Sequence, residues 1–163
     1  ISHYMNIHSE TVGTVDLTDW NESRVFTGPY RFTRVSLLDE NGTTKNSFKN
    51  GDKIRLKMDI SGSKGEAFNV RASVRSDSGT VIVGYIGVND GFGPAFVSDK
   101  AEIVAEFDCI FNTGTYSVTC VLTDRFNKYC DVVKCCLTFS VMSCEGTFKS
   151  VGLIRQNAKW KIL

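Results

Sequence analysis

Two groups of residues carry whatever chemistry this sequence can do. The first is a pair of carboxylates, Glu106 and Asp108, on alternate positions of a run that alternates polar and apolar. Alternate strand residues share a face and lie roughly 6.6–6.8 Å apart. That falls within the ~6.5–9.5 Å separation of the acid and base of an inverting glycosidase, whereas Glu102, at twice the distance from Glu106, does not fit. Alternating acids are also what any solvated strand face carries. No apolar residues gather around the pair to raise a carboxyl pKa, as a catalytic acid requires. The second group lies on Ala67–Ser76, where Asn69, Arg71, Ser73 and Arg75 project to one side and Phe68, Val70, Ala72 and Val74 to the other. Thr119, Thr123 and Lys134 from neighbouring strands extend this face, and Tyr85, Phe92 or Tyr129 could supply an aromatic platform. Such a surface offers fixed donors to hydroxyl or carboxylate groups. The plainer reading of each residue is a sheet face with solubilising charge.

Other chemistries are excluded. His3 and His8 are the only histidines in 163 residues. Both stand in a polar N-terminal stretch, so a Ser-His-Asp, Cys-His or zinc hydrolase site has no base or ligand to draw on. Gly62-Ser63-Lys64-Gly65 has neither the spacing nor the following helix of a phosphate-binding loop. Nothing in the sequence calls for a metal or a cofactor. Nineteen Lys and Arg against eighteen Asp and Glu leave a net charge of +1, without the basic excess of a nucleic-acid binder. No apolar run approaches the ~20 residues of a membrane span, and the N-terminus lacks the pattern of a signal peptide. The chain begins at Ile1 and reads as a piece of a longer protein.

Six cysteines stand at 109, 120, 130, 135, 136 and 144, with no C-x-x-C among them. A chain of this length needs no disulfides to fold, so they read as thiols acting as small hydrophobes in a reducing compartment. The triplets Asn21-Glu22-Ser23 and Asn41-Gly42-Thr43 fit a secreted, disulfide-bonded alternative.

The elements that must position these residues are strands. Helical periodicity is almost absent, and alternation punctuated by turns dominates. Residues 1–28 read as a linker or tail, with Trp20 and Phe26 anchoring it where it meets a domain spanning 29–163. Strands are predicted at Tyr30–Asp39, around Phe48, and at Lys53–Ile60, Ala67–Ser76, Thr80–Ile86, Ala101–Cys109, Tyr116–Leu122 and Val132–Met142. Val132–Met142 is apolar on both faces, as in a covered strand. Cys135 and Cys136, adjacent in it, point opposite ways. Shorter segments around Thr147–Leu153 and Lys159–Leu163 close the chain. The pattern implies an all-β, antiparallel sandwich of immunoglobulin-like or jelly-roll type. Gly114-Thr115-Tyr116 is placed like a tyrosine corner, a structural role.

The run Thr27-Gly28-Pro29-Tyr30-Arg31-Phe32, Val35-Ser36-Leu37-Leu38-Asp39-Glu40-Asn41-Gly42 and Phe48-Lys49-Asn50-Gly51-Asp52-Lys53-Ile54 sets a distinctive grammar of strand and turn. Together with Trp20, Asp77-Ser78-Gly79, Phe111-Asn112-Thr113-Gly114-Thr115-Tyr116 and Gly152 to Trp160, it resembles the C-terminal domain of Wzt. Wzt is the ATP-binding subunit of ABC transporters that export bacterial O-antigen. The resemblance spans residues 20–163 and rests on the order and spacing of the set. It implies a non-catalytic carbohydrate-binding module in the cytoplasm, recognising the finished, often capped, non-reducing end of a lipid-linked O-polysaccharide. It also implies an ATPase domain and a membrane subunit as partners, and a homodimer in which some members exchange a C-terminal strand. Lys159-Trp160-Lys161-Ile162-Leu163 suits such strand addition. Ligand contacts vary with the polysaccharide, so the expected site remains the face of Asn69, Arg71, Ser73, Arg75, Tyr85, Thr119, Thr123 and Lys134. The alternatives are a secreted immunoglobulin-like adhesion domain, a glycoside hydrolase using Glu106 and Asp108, and a purely structural interaction domain.

Overall fold

Period-two alternation becomes strands whose apolar sides close on one another. The computed structural model describes residues 12–63, 65–96, 99–146, 151–156 and 158–162. In chain order the strands are β1 (Thr14–Asp16), β2 (Arg24–Phe26), β3 (Tyr30–Leu38), β4 (Ser47–Lys49), β5 (Lys53–Gly62) and β6 (Ala67–Ser76). They continue as β7 (Val81–Ile86), β8 (Ala95–Phe96), β9 (Lys100–Asp108), β10 (Gly114–Asp124) and β11 (Tyr129–Met142). The smaller sheet runs β1-β3-β5-β9 and the larger β2-β11-β10-β6-β7, with β4 beside β11 and β8 beside β6. Every pairing is antiparallel except β4 with β11. The result is the all-β antiparallel sandwich expected from the pattern.

Between the sheets, Phe32, Val35 and Leu37 of β3 and Ile54, Leu56, Met58 and Ile60 of β5 share one core with Phe68, Val70 and Val74 of β6 and Val118, Cys120 and Leu122 of β10. Tyr116 does form the corner: its hydroxyl donates to the Asn112 carbonyl at 2.7 Å and tucks the ring beneath the turn.

Residues 12–28 are not a tail. Thr14–Asp16 pairs with β3 and Arg24–Phe26 with β11, so the segment contributes a strand to each sheet. Trp20 is buried and its indole N–H donates to the Glu22 carbonyl at 2.5 Å. Phe26, the other expected anchor, is exposed, with the guanidinium groups of Arg31 and Arg24 5.4 and 5.9 Å from its ring centre. The actual anchor is Arg24. Its Nε and Nη2 donate to the two Asp131 oxygens at 2.8 and 2.5 Å, and the remaining donors reach the carbonyls of Leu17, Trp20 and Phe32. Asp131 also accepts the Phe32 amide at 2.8 Å. Both side chains are almost completely buried. A buried charge is tolerable only when its hydrogen-bonding capacity is met, and here one fork meets it across both sheets.

Val132–Met142 is not covered on both faces: Lys134, Thr138, Ser140 and Met142 are exposed while Val133, Leu137, Phe139 and Val141 are buried, and its two-sided look in sequence has a local cause. Val118 pairs with Leu137 but Cys120 pairs with Val133, so Lys134, Cys135 and Cys136 together oppose Thr119. This bulge puts Cys135 in the left-handed region at φ 49° and resets the alternation within the strand. Cys135 is exposed and Cys136 buried, as expected. At the C-terminus, Ile154 makes a bridge with Phe111, while Lys159–Ile162 forms no strand and Trp160 and Ile162 are exposed. His3, His8, Lys64, Thr147–Ser150 and Leu163 lie outside the described residues.

The Asp131→Asn variant retains the shape but leaves the Arg24 charge uncompensated. Urea unfolding is expected to register a loss of about 3–5 kcal/mol. Lys53→Ala, which removes an exposed partner of Asp108, is expected to leave the unfolding midpoint nearly unchanged. Equal losses from the two variants would contradict the role assigned to Arg24 and Asp131.

Candidate functional site

The outer surface of the larger sheet is built in rows set by strand register. Arg71 of β6 stands opposite Val121 of β10 and Ile86 of β7. One row along, Ser73 stands between Thr119 and Gly84; in the next, Arg75 pairs with Ser117 and Val81. Two arginines roughly 13–14 Å apart along one strand therefore flank a floor of Gly84, Ser73 and Thr119. Gly84 keeps that floor open, since a Cβ there would meet nothing within 4 Å. A glycine inside a β-branched strand accompanies a bulge or leaves room for close approach to the backbone, and here the ladder with β6 shifts register beside it.

Neither arginine is consumed by an ion pair among the described residues. Arg71 Nη2 donates to the Asn127 side-chain oxygen at 2.9 Å, and Arg75 Nη1 donates to the Gly79 carbonyl at 3.1 Å. Both are half-buried, and the Nε of each lacks an acceptor. Neutral partners hold the guanidinium groups in place without cancelling their charge. The Asn127 contact was not legible in sequence: it needs the turn in which Asn127 adopts φ 65° and swings back over β6.

The other expected site residues divide. Thr119 is buried and its hydroxyl accepts the Cys135 amide at 3.0 Å, so it fixes the β11 bulge and forms part of the floor. Lys134 is exposed at that bulge. Asn69 and Thr123, paired in register, are buried rather than presented: Asn69 donates to the Asp124 carbonyl at 3.2 Å, while its own oxygen and the Thr123 hydroxyl have no protein partner. Tyr85 belongs to the opposite side. It pairs with Ala72, an inward position, and its ring stacks on Phe107 of the other sheet with centroids 4.3 Å apart. Burial pushes its hydroxyl pKa well up. Its ring nevertheless lines one concavity together with Arg71 and Phe92; Tyr129 and Phe92 are exposed.

The carboxylate pair is otherwise engaged. Glu106 accepts Arg55 Nε at 2.7 Å and Asp108 lies 2.6 Å from Lys53 Nζ, both exposed. Each carboxylate faces a cation in an exposed setting, without the apolar surroundings on which a catalytic acid would depend.

Among the cysteines, Cys109, Cys120, Cys130 and Cys136 are buried free thiols and Cys135 is an exposed one. Burial pushes the Cys109 pKa up to about 11. A hydrogen bond with Cys136, together with burial, raises Cys120. Two concavities mark the surface, the first away from the arginine face and the second bordered by Arg71. One, of about 500 Å³, sits on the outer surface of the smaller sheet and includes Asp16, Arg34, Asp59 and Lys100. The other, of about 260 Å³, opens between β7 and β9 over Tyr85, Phe92 and Phe107.

A family model described as the Wzt C-terminal domain matches residues 21–156. The crystal structure of the C-terminal domain of Wzt is similar to this chain with a TM-score of 0.76 and 11% identity, covering 86% of this chain and 87% of that one. A Niemann-Pick type C2 protein from Japanese carpenter ant aligns at a TM-score of 0.47 and 14% identity, over 72% of this chain and 99% of that one. No curated protein matches.

Thiol reactivity tests the cysteine arrangement. In the native protein a small aromatic disulfide reagent is expected to reach Cys135 fastest; after unfolding without reductant, all six cysteines react. A count below six would show that a disulfide had formed.

Proposed function

The chain belongs to the Wzt C-terminal domain family, and from that premise we propose a non-catalytic carbohydrate-binding module. In this reading it recognises the capped, non-reducing end of a lipid-linked O-antigen polysaccharide and so licenses its export by an ABC transporter. The observation that carries the reading is the arginine-flanked floor. Arg71 and Arg75 stand on one face, tethered by neutral acceptors and unpaired with any carboxylate among the described residues, on either side of Gly84, Ser73 and Thr119. A terminal sugar lies on the floor, and a carboxylate or phosphate cap meets guanidinium donors. Lys134 adds an exposed charge beside the bulge, while Thr119, Asn69 and Thr123 support the face from beneath.

Affinity in the micromolar to millimolar range suits the task, because hydroxyls exchanged with water give little net gain and the chain must be released. The reading requires no cofactor. It places the module in the cytoplasm with an ATPase domain and a membrane subunit as partners. The free thiols support that compartment, and among the described residues no helix is long and apolar enough to cross a membrane. It also includes a homodimer. The exposed Lys159–Ile162 segment, carrying Trp160 and Ile162, is available for addition to a neighbour's sheet.

Calorimetric titration with matched capped and uncapped polysaccharide tests the proposal. The capped chain is expected to bind more tightly. Arg71→Ala and Arg75→Ala should each weaken it about tenfold, the effect of one charge-assisted hydrogen bond, while Tm stays nearly unchanged. Equal binding by both variants and the parent rejects this face as the site. Release of reducing sugar during the titration rejects the non-catalytic reading.

A further inference from the structure

The larger of the two concavities described above faces away from the arginine floor, on the outer surface of β1, β3, β5 and β9. Register places Asp16, Arg34, Asp59 and Glu102 in one row across the four strands. Their inward neighbours Val15, Val35, Met58 and Ile103 are buried in the core, so the row is held on a rigid base. The row is incompletely satisfied. Arg34 has a carboxylate on each side in register, yet it makes no ion pair or hydrogen bond among the described residues. One oxygen of Asp59 is buried without a donor; Lys57 Nζ is 3.8 Å from it, beyond hydrogen-bond reach, and donates instead to Glu102 at 2.8 Å. Thr33 and Ser61 add hydroxyls to the same basin.

The charge balance identifies the kind of ligand. Arg34, Lys57 and Lys100 offset Asp16, Asp59 and Glu102, so the basin presents no field of one sign. An anion would leave the buried Asp59 oxygen without its donor. A divalent cation has no seat, since no grouping of acidic, histidine or cysteine side chains among the described residues could hold a metal. What fits is a neutral group that both gives and accepts hydrogen bonds at close spacing, in a space of about 500 Å³, the size of a small-ligand site. We propose that this basin is a second saccharide site, which takes an uncharged sugar residue by its hydroxyls, one donating to Asp59 and another accepting from Arg34. The inference rests on the carbohydrate-binding reading above and extends it: the arginine floor reads the charged or capped tip, and the basin holds a neutral residue of the chain.

The test is an amide chemical-shift titration of the 163-residue chain with neutral methyl glycosides of glucose, galactose, mannose, rhamnose and N-acetylglucosamine. Each is taken to about 50 mM, enough to populate a site of millimolar Kd. Shifts at residues 33–34, 59–61 and 100–102 are expected with at least one glycoside. Arg34→Ala and Asp59→Asn should each weaken that titration roughly fivefold or more; Arg34 is exposed, so its variant is expected to fold like the parent. Binding by Arg71→Ala at the basin should be unchanged. Shifts confined to residues 71–75 and 117–119 overturn the second site and leave the first standing. Shifts at the basin that persist undiminished in Arg34→Ala also overturn it, as does the absence of any basin shift with every glycoside, while the arginine floor stands or falls on the capped-polysaccharide titration alone.

Discussion

Arg24 and Asp131 form the contact on which the rest of this sandwich is hung. A guanidinium and a carboxylate taken out of water cost more than their mutual attraction returns unless every remaining donor and acceptor is matched. Here the surplus donors close on the carbonyls of Leu17, Trp20 and Phe32, and the surplus acceptor takes the Phe32 amide. The consequence is positional more than energetic. One side chain from β2 fixes the start of β11 in the larger sheet, the course of β3 in the smaller, and the connection from β1. Because Asp131 sets where β11 begins, it also sets where the bulge at Cys135 falls, and so where Thr119 can accept its amide and complete the arginine floor.

Most of the scaffold was legible in the sequence because it obeys a local rule. Tyr30 to Leu38, Lys53 to Gly62 and Ala67 to Ser76 alternate cleanly, and their turns carry the glycine and asparagine residues that turns require. Tyr116 was recognisable because its partner lies only four residues away. The errors have non-local causes. Residues 12–28 carry no alternation because β1 and β2 are three residues long, too short to show a period, and what holds them is a partner 107 residues distant. That Tyr85 turns toward Phe107 at the rim, while still bordering the concavity that Arg71 lines, depends on its pairing with Ala72, which no single strand reveals. Asn69 and Thr123 have the right parity but are buried, and depth cannot be read from alternation.

The two outer surfaces show opposite uses of charge. On the smaller sheet, Lys53 with Asp108, Arg55 with Glu106 and Lys57 with Glu102 satisfy one another across β5 and β9, a ladder worth little in water but effective in keeping the face hydrated. The ladder stops at the row of Arg34 and Asp59. On the larger sheet, Arg71 and Arg75 are braced by an amide and a peptide carbonyl, which orient them and leave their charge intact. The distinction between a solvated charge and an available one lies in the partner, and residue type alone does not encode it.

That same ladder has a bearing on how the molecule can grow. β9 is the margin of its sheet, and Lys100, Glu102, Glu106 and Asp108 line its outward side. A foreign strand laid along that margin would have to crowd ammonium and carboxylate groups against its own side chains. β7, the margin of the other sheet, runs Val81-Ile82-Val83-Gly84-Tyr85-Ile86 without a single formal charge. Lateral templating is thus directional: one rim repels a newcomer and the other tolerates it, so any extension of the β-structure past these two rims is biased to a single side and a single orientation.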